Sequence, residues 1–395
     1  MIYTNPHFEK IFGEKATYVF SAPGRTELSG NHTDHQHGCV LAAAVNLEML
    51  AWVKPNDTNI IRVLSEGYPM SVIDLTDIEI KEEEKNTTNA LIRGVAAKFM
   101  QMGCDVKGFD AYVTSTVLPG SGLSSSAAYE VLIGTIINHL YNGAKATDVE
   151  IAQIGQWAEN VYFGKPCGLM DQTASSVGNI ISIDFADTAN PIVEKIDFDF
   201  DSAGYALCII DSGADHADLT DEYAAMPGEL KKVCAFFGKE FLREVDEDEF
   251  YRNIAAVRKE TGDRAVLRAI HVFEENKRVA KQVEALKNND FETFLKYVTE
   301  SGLSSWRFLQ NVTVAGRIAH QEVAFALAIA EKLLKGKKGA CRVHGGGLAG
   351  TIQAFVPLAD LEEFKAGMEA ALGAGKCHVL AIRADGGVLV EEGEF

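Results

Sequence analysis

The densest group of reactive side chains in the sequence lies in one short polar stretch, residues 24–38. Its guanidinium, carboxylates and imidazoles belong to Arg25, Glu27, His32, Asp34, His35 and His37. Three interpretations are open. The stretch is a solvated polar loop, or it binds a transition metal through His32, Asp34, His35 and His37, although consecutive residues converge poorly on one ion. Alternatively it binds a polyhydroxylated ligand, whose hydroxyls suit charged acceptors and planar amides.

A second candidate is the run Gly120-Ser-Gly-Leu-Ser-Ser-Ser-Ala-Ala128. Residues 109–117 before it alternate like a strand, and a helix is predicted to start within it, at Ser124. The first N–H groups of a helix have no partner inside the helix, and with the helix dipole they favour a bound anion. The run therefore predicts a phosphate-binding loop, with a plain turn as the alternative. The sequence contains neither a Walker A loop nor the protein-kinase motifs.

A third candidate is Asp171, which follows an apolar pair in the segment that begins at Gly164. A buried carboxylate needs a partner, and Arg25 is the candidate cation. The alternative is an aspartate that caps a helix. Near the C-terminus, residues 345–350 match G-x-G-x-x-G, but the next residues are β-like, so no dinucleotide site is predicted. Close packing against another loop is the better interpretation.

Two regions of the sequence, which differ in predicted secondary structure, must position these candidates. The first part alternates strands and helices, whereas the part after about residue 198 is rich in long helices. We expect a boundary within residues 190–204 and two domains, 1–198 and 199–395. The predicted strands are residues 17–22, 39–45, 60–64, 71–75, 109–117, 179–187, 206–210 and 351–356. The predicted helices are residues 91–102, 124–133, 149–164, 229–237, 266–286, 290–303 and 316–334.

Composition excludes several classes of protein. The 395-residue chain carries 56 acidic and 37 basic side chains, a formal charge of −19, which argues against nucleic-acid binding. No apolar run approaches the roughly 18 residues of a membrane span, and the first ten residues do not read as a signal peptide. Seven scattered cysteines without a C-x-x-C pair fit reduced thiols. We expect a cytoplasmic monomer without nucleic-acid or membrane partners.

Four segments together resemble the GHMP family of small-molecule kinases, in its galactose-specific branch. They are Gly24-Arg25…Gly30-x-His32-Thr33-Asp34…Gly38, residues 120–128, Pro166-Cys-Gly-Leu-Met-Asp-Gln172 and Gly345-Gly-Gly-Leu-Ala-Gly350. The resemblance covers nearly the whole chain. It implies an α+β fold with an N-terminal mixed sheet, a C-terminal antiparallel sheet and an active site in the cleft between the two domains. It also implies ATP, Mg²⁺ and phosphorylation of galactose at its anomeric C1 hydroxyl.

The resemblance also assigns roles to residues. Asp171 faces the C1 hydroxyl as a base or orienting group, and Arg25 keeps Asp171 ionised and stabilises charge on the phosphoryl group. The Mg²⁺ ligands are Ser126 and Glu159. The implied sugar contacts are Glu27, Asn31, His32, Asp34, Gly168 and Tyr223. The implied phosphate-loop residues are Gly120, Ser121, Gly122, Leu123, Ser124, Ser125, Ser126 and Ala127.

The sequence departs from the galactose-specific pattern at several positions. Glu27 and Asn31 are exchanged relative to the usual Asn and Glu, His35 replaces a Tyr, and Thr88 stands where a Trp is expected near the adenine. These departures keep two alternatives open. One is a 1-kinase for a galactose relative such as N-acetylgalactosamine or a uronic sugar. The other is a sensor that binds galactose and ATP without turnover, which the intact run of residues 125–128 disfavours.

Overall fold

The computed structural model describes residues 4–117, 122–214 and 219–395. The strands are β1 Tyr18–Ser29, β2 Cys39–Pro55, β3 Ile60–Ser65, β4 Ser71–Asp74, β5 Phe109–Ser115, β6 Ile180–Asp184, β7 Ile192–Ile196, β8 Tyr205–Ala214, β9 Ala340–Val343, β10 Gly350–Pro357, β11 Cys377–Leu380 and β12 Val388–Glu392. Two sheets form from them within the described ranges. The larger is ordered β12-β1-β2-β5-β3-β4, with β6 on β2 and β7 on β6, and the smaller is ordered β11-β8-β10-β9.

The larger sheet is mixed because β3 pairs with β5 in parallel, whereas its other pairs are antiparallel. The smaller sheet is antiparallel throughout. This pair of sheets confirms the predicted α+β fold class. The last strand, β12, returns to pair with β1, so the larger sheet contains chain from both ends of the sequence. The division into domains 1–198 and 199–395 stays a prediction.

Helices cover the sheets. They are α1 Pro6–Phe12, α2 Thr88–Gln101, α3 Ser125–Asn142, α4 Asp148–Ala158, α5 Met170–Val177, α6 Thr220–Phe236, α7 Glu247–Arg252, α8 Ile254–Thr261, α9 Asp263–Lys287, α10 Phe291–Ser304, α11 Glu322–Leu334 and α12 Leu361–Leu372. The main core joins the larger sheet to α2 and α3, and a second core packs the smaller sheet on α11 and α12. Within the described residues, none of the helices is long and apolar enough to cross a membrane.

The first strand runs further than its sequence predicts. The Pro23-Gly24 pair predicts an end at residue 22, but β1 continues to Ser29 with a register shift between Pro23 and Arg25. Such a bulge accommodates a proline within a strand. The N–H of Arg25 donates to the carbonyl of Leu123 at 3.0 Å, which ties the strand to the phosphate loop. Consequently the reactive groups of Arg25 and Glu27 project from a strand, and only those after Ser29 belong to a loop.

Three predicted helices also differ from the observed helices. Residues 316–334 predict one helix, but α11 begins at Glu322 because the preceding residues turn, with Gly316 at φ +81°. Helix α6 begins at Thr220, earlier than the predicted residue 229, and it contains Pro227. The predicted helix over residues 149–164 consists of α4 followed by a π-helical turn, Glu159–Phe163. Glu159 is the first residue of that turn.

Candidate active site

A cleft of about 680 Å³ opens between β1, its following loop, the start of α5 and residues 345–346. The polar side chains that line it include five of the predicted site residues: Arg25, Glu27, His32, Asp34 and Asp171. Gly168 lines it as well. The structure therefore brings together residues that are up to 146 positions apart in sequence. Carboxylates, a guanidinium and an imidazole in one cleft suit a ligand with several hydroxyl groups.

Arg25 and Asp171 form a bidentate ion pair at the inner end of this cleft. Nε of Arg25 lies 2.6 Å from Oδ1 of Asp171, and Nη2 lies 2.7 Å from Oδ2. Arg25 also donates to the carbonyl of Gly122, in the phosphate loop. Burial opposes ionisation of Asp171, but the cation outweighs it and holds the pKa of Asp171 below its usual value. The Asp171 side chain is still 31% exposed, so a ligand can reach the paired carboxylate.

The predicted phosphate loop leads into the N-terminus of α3. Ser124 precedes the helix in the left-handed conformation, with φ 55°, and its side chain makes no capping hydrogen bond. The N–H groups of the first turn therefore remain for a ligand, as an anion site requires. Of the predicted loop residues, Leu123, Ser125 and Ala127 lie at this end of the helix with Ser124. Gly120 and Ser121 lie outside the described residues.

The predicted Mg²⁺ ligands lie close together beside the loop. The Ser126 hydroxyl is 3.4 Å from Oε1 of Glu159. Gln172, next to Asp171 in sequence, donates to Oε2 of Glu159 at 2.9 Å and to Oε2 of Glu130 at 2.9 Å. A hydroxyl and a carboxylate match the oxygen ligands that Mg²⁺ takes from proteins. These residues fit a magnesium site that phosphate oxygens and water would complete.

Asp34 faces the same cleft from the short turn Asp34–Gln36. Its Oδ1 accepts the N–H of His35 at 2.8 Å. A side chain at position 168 would collide with Oδ2 of Asp34, so a larger residue there would displace the Asp34 carboxylate from its position in the cleft. Burial, followed by the charge of Asp171, raises the pKa of Asp34 to about 6. Asp34 is therefore a carboxylate acceptor that becomes protonated in mildly acidic solution.

Glu27 and Asn31 form one network, in which only Glu27 lines the cleft. The Asn31 amide donates to Oε1 of Glu27 at 3.1 Å and to the carbonyl of Gly345 at 2.6 Å. Its oxygen accepts from Ser305 at 3.1 Å and Asn311 at 2.8 Å. The hydrogen-bonding capacity of the amide is thereby used within the protein. Of these two side chains, the one that reaches the cleft is therefore the carboxylate on β1, whereas the amide from the loop is fully buried.

The remaining predicted sugar contacts lie against the glycine-rich residues 345–350. His32 Nε2 is 3.1 Å from the carbonyl of Gly346. Tyr223 donates to the carbonyl of Gly347 at 2.7 Å, and its ring packs beside Gly346. A side chain at position 347 would overlap Asn311. This tight contact confirms the prediction that residues 345–350 pack closely against another loop, and it places Tyr223 behind the cleft wall.

Residues 30–38 between β1 and β2, here called the sugar loop, are held through their backbone by helix α9. This contact was not predicted from the sequence. His271 contacts the carbonyl of Asn31 at 2.9 Å, and Glu275 accepts the N–H of Gly30 at 3.2 Å. Burial lowers the pKa of His271 to about 4. Burial opposes ionisation of Glu275, but Arg278 and then His271 lower its pKa to about 2.

A signal for this role exists in the sequence. Buried polar residues recur on one face of α9 at helical spacing, at Arg268, His271, Glu275, Arg278 and Gln282. Buried polar groups require partners, so such a stripe indicates a helix that bonds to another part of the fold. The sequence alone does not identify that partner.

A second cavity, of about 330 Å³, opens beside Ser125 and Ser126. Its walls are mainly apolar and include Leu91, Tyr68 and Thr88, the residue at the position of the expected Trp. An apolar cavity next to a phosphate loop has the character of a nucleotide-base site. The first cleft, which we call the polyol cleft, reaches the residues before α3 through the hydrogen bond from Arg25 to Gly122, and this cavity lies beside the first turn of α3.

Comparisons with known proteins identify the class of protein that carries this fold and site. Residues 90–179 match the GHMP kinases N terminal domain, and residues 6–55 match the Galactokinase galactose-binding signature. The fold matches a crystal structure of Lactococcus lactis galactokinase complexed with galactose, with TM-score 0.82, 24% identity and 97% of each chain covered. It also matches a mevalonate kinase, with TM-score 0.65, 15% identity, and 93% of this chain and 99% of that chain covered. The chain is a GHMP kinase.

Proteins that are similar to this chain in sequence identify its family within this class. A galactokinase of Glaesserella parasuis is 33% identical over 371 residues, which cover 91% of this chain and 90% of that protein. A galactokinase of Streptomyces coelicolor is 30% identical over 369 residues, which cover 93% of this chain and 92% of that protein. The chain therefore belongs to the galactokinase family and is a sugar kinase.

Proposed function

We propose that the protein transfers the γ-phosphoryl group of ATP to the anomeric C1 hydroxyl of galactose, which yields galactose 1-phosphate. The observation that carries this proposal is the Arg25–Asp171 ion pair, which lies where the polyol cleft meets the phosphate loop. A hydroxyl that contacts Asp171 is next to any phosphoryl group that contacts Arg25. Phosphoryl transfer requires little more than this positioning and charge stabilisation.

In this proposal Asp171 orients the attacking hydroxyl and accepts its proton as the new P–O bond forms. Its lowered pKa supports the ionised state before reaction. Arg25 neutralises charge on the transferring group while one side of its guanidinium stays on Asp171. Direct in-line transfer needs no covalent enzyme intermediate.

The nucleotide is proposed to lie along the phosphate loop. The N–H groups of residues 122–127, with the predicted Gly120 and Ser121, bind the phosphates, and the base enters the cavity lined by Leu91 and Tyr68. Ser126 and Glu159 hold Mg²⁺, which supplies neutralisation of the phosphate charge when it is bound. Lys165, 3.7 Å from Glu159, adds further positive charge there.

The sugar is proposed to bind through Glu27, His32, Asp34 and the backbone at Gly168, all of which line the cleft. Asn31 and Tyr223, which the resemblance implies as direct contacts, are proposed to act from behind it. Asn31 holds the carboxylate of Glu27, and Tyr223 holds the carbonyl of Gly347. A charged acceptor held in this way forms stronger hydrogen bonds to sugar hydroxyls than a neutral one.

A kinase for a galactose relative is the second candidate, and the Glu27–Asn31 network favours it. Glu27 stands where galactose-specific relatives have Asn, and the apolar residues Phe185, Pro227 and Phe241 also line the cleft. Contact with these side chains would suit the methyl group of an N-acetyl substituent, which galactose lacks.

One experiment separates these candidates. Initial rates are measured with galactose, 2-deoxygalactose, N-acetylgalactosamine, galacturonate and glucose, each with ATP and GTP. The proposal predicts the highest kcat/KM for galactose with ATP. A higher value for a substituted sugar supports the second candidate, and binding without turnover supports a sensor.

We also propose that the protein is a monomer. Size-exclusion chromatography with light scattering tests this by measuring the molar mass of the eluting protein.

A further inference from the structure

A chain of hydrogen bonds runs through two histidines at the cleft wall. Its first link is the N–H of Leu242, which donates to Oε1 of Gln36 at 3.1 Å. Nε2 of Gln36 then lies 3.3 Å from Nδ1 of His35, and Nε2 of His35 lies 3.2 Å from Nδ1 of His32. The last link joins Nε2 of His32 to the carbonyl of Gly346 at 3.1 Å. Both ends of this hydrogen-bond chain lie in the C-terminal half of the protein, and its middle residues lie in the sugar loop.

The two ends fix the direction of every link. A backbone N–H only donates, so Gln36 turns its oxygen to Leu242 and its NH₂ group to His35. Nδ1 of His35 must accept, and the proton of that ring is therefore on Nε2. The same reasoning makes Nδ1 of His32 an acceptor and places its proton on Nε2. The carbonyl of Gly346 accepts that proton, which completes the chain.

The surroundings favour neutral rings, which this direction requires. Burial is the main cause that lowers the pKa of His35, to about 3, and the charge of His32 lowers it further. Burial also lowers the pKa of His32. The two rings meet edge to face, with centroids 5.4 Å apart. Gln36 is buried, so its amide is held by these partners rather than by water.

We propose that His35 and Gln36 are positioning residues for sugar recognition, which fix His32 in the Nε2–H form beside the carbonyl of Gly346. The carbonyl of Gly346 accepts this N–H with one lone pair, and its second lone pair can accept from a sugar hydroxyl in the cleft. The chain of hydrogen bonds thereby fixes both the ring of His32 and this carbonyl at the cleft wall. The inference rests on the proposed function, because it takes a sugar as the ligand of the cleft.

Two substitutions of similar size test the chain. His35→Gln keeps an N–H that reaches toward Nδ1 of His32, whereas His35→Leu removes it. We expect His35→Leu to raise the Kd of galactose about tenfold, the effect of losing roughly one hydrogen bond. His35→Gln should change it much less, and the Kd of ATP should change in neither variant. Calorimetric binding and thermal unfolding of both variants measure affinity and folding without relying on turnover.

The ring protons are observed directly by ¹⁵N NMR of the histidine side chains. The proposal predicts a single Nε2–H form for His32 in the wild type and in His35→Gln, and a mixture of the two neutral forms in His35→Leu. A mixture in the wild type overturns the proposal, as do equal losses of galactose affinity in both variants. Failure of the wild type to phosphorylate any sugar would instead overturn the proposed function. The NMR spectra would still test whether the hydrogen-bond chain fixes the ring proton of His32.

Discussion

The phosphate end of the candidate site is built from neighbours in sequence, whereas the sugar end is built from residues that meet only in the fold. The N–H groups of residues 122–127 come from one run at the start of α3. By contrast, Gly30 in the sugar loop is held by Glu275, 245 positions away, and Glu27 is held by Arg342, 315 positions away. In the proposed function, phosphate binding therefore depends on local backbone, and sugar binding depends on both halves of the chain. Variants at the two ends should separate the two substrates.

The pair that joins the two ends should show the largest effect. Asp171→Asn keeps the shape of the side chain but removes the charge that orients and deprotonates the hydroxyl. We expect kcat to fall about 10²–10⁴-fold, the usual contribution of a positioned acid–base group, while galactose still binds. Steady-state kinetics and calorimetry measure the two quantities. Asp201→Asn, an exposed change of the same kind, is the control. An Asp171→Asn enzyme with over half the wild-type kcat contradicts the assignment.

The sugar end is tested by Asp34→Asn. The amide has one acceptor oxygen, and its NH₂ group faces hydroxyls that must turn round. We expect a loss of about 1–3 kcal/mol, which is roughly ten- to a hundredfold in KM for galactose, with KM for ATP unchanged. Both constants are measured on one preparation. Equal increases in both would indicate a folding defect and erase the separation between the two ends.

The phosphate end is tested by Ser126→Ala and Glu159→Gln. Each removes an oxygen ligand, or its charge, from a hard cation. We expect the Mg²⁺ concentration for half-maximal rate to rise about tenfold, with little change in the Kd of galactose measured without nucleotide. Titration of Mn²⁺ by its EPR signal gives a readout that does not depend on turnover. Unchanged metal dependence in both variants would make these residues structural.

Changes in α9 should have the smallest effect on activity but a clear effect on stability. The folded-state pKa of His271 is about 4, below its usual 6.5, so the unfolded chain binds this proton first as the pH falls. The contribution of His271 to the free energy of unfolding should therefore decrease between pH 6.5 and 4, by an amount on the order of 3 kcal/mol. Glu275, with a lowered pKa of about 2, adds a further loss below about pH 4.5.

Thermal unfolding of wild type and His271→Gln across this pH range measures that contribution. Glutamine cannot take up the proton, so the variant should lose less stability than the wild type between pH 6.5 and 4. Parallel curves would show that His271 does not control the acid sensitivity of the sugar loop.

Local patterns predict most of the fold, because alternation and helical periodicity act over short distances. They place β5, α9 and α10 within a few residues of their observed bounds, and they place the start of α3 within one residue. They fail at β1, where a bulge carries the strand past Pro23-Gly24, and at α11, where Gly316 lies in a turn. In both cases local propensity is overridden by bonds to another segment or by a special backbone angle.

Some parts of the candidate site could likewise be predicted from the sequence, and others could not. The Arg25–Asp171 pair follows from one rule, that a buried carboxylate needs a cation. The partners of Asn31 do not follow from any local rule, because Ser305 and Asn311 reach it from the other half of the chain. The exchange of Glu27 and Asn31 is visible in the sequence, but only the fold shows that Glu27 is the one of the two that lines the cleft.

The most direct test of the central claim is the identity of the product. Purified protein is incubated with galactose, ATP and Mg²⁺, and the product is examined by ³¹P NMR with coupling to the sugar protons. We expect galactose 1-phosphate, with the phosphorus coupled to the anomeric proton, and no such product from Asp171→Asn. A phosphate on any other hydroxyl, or full product formation by Asp171→Asn, would contradict it.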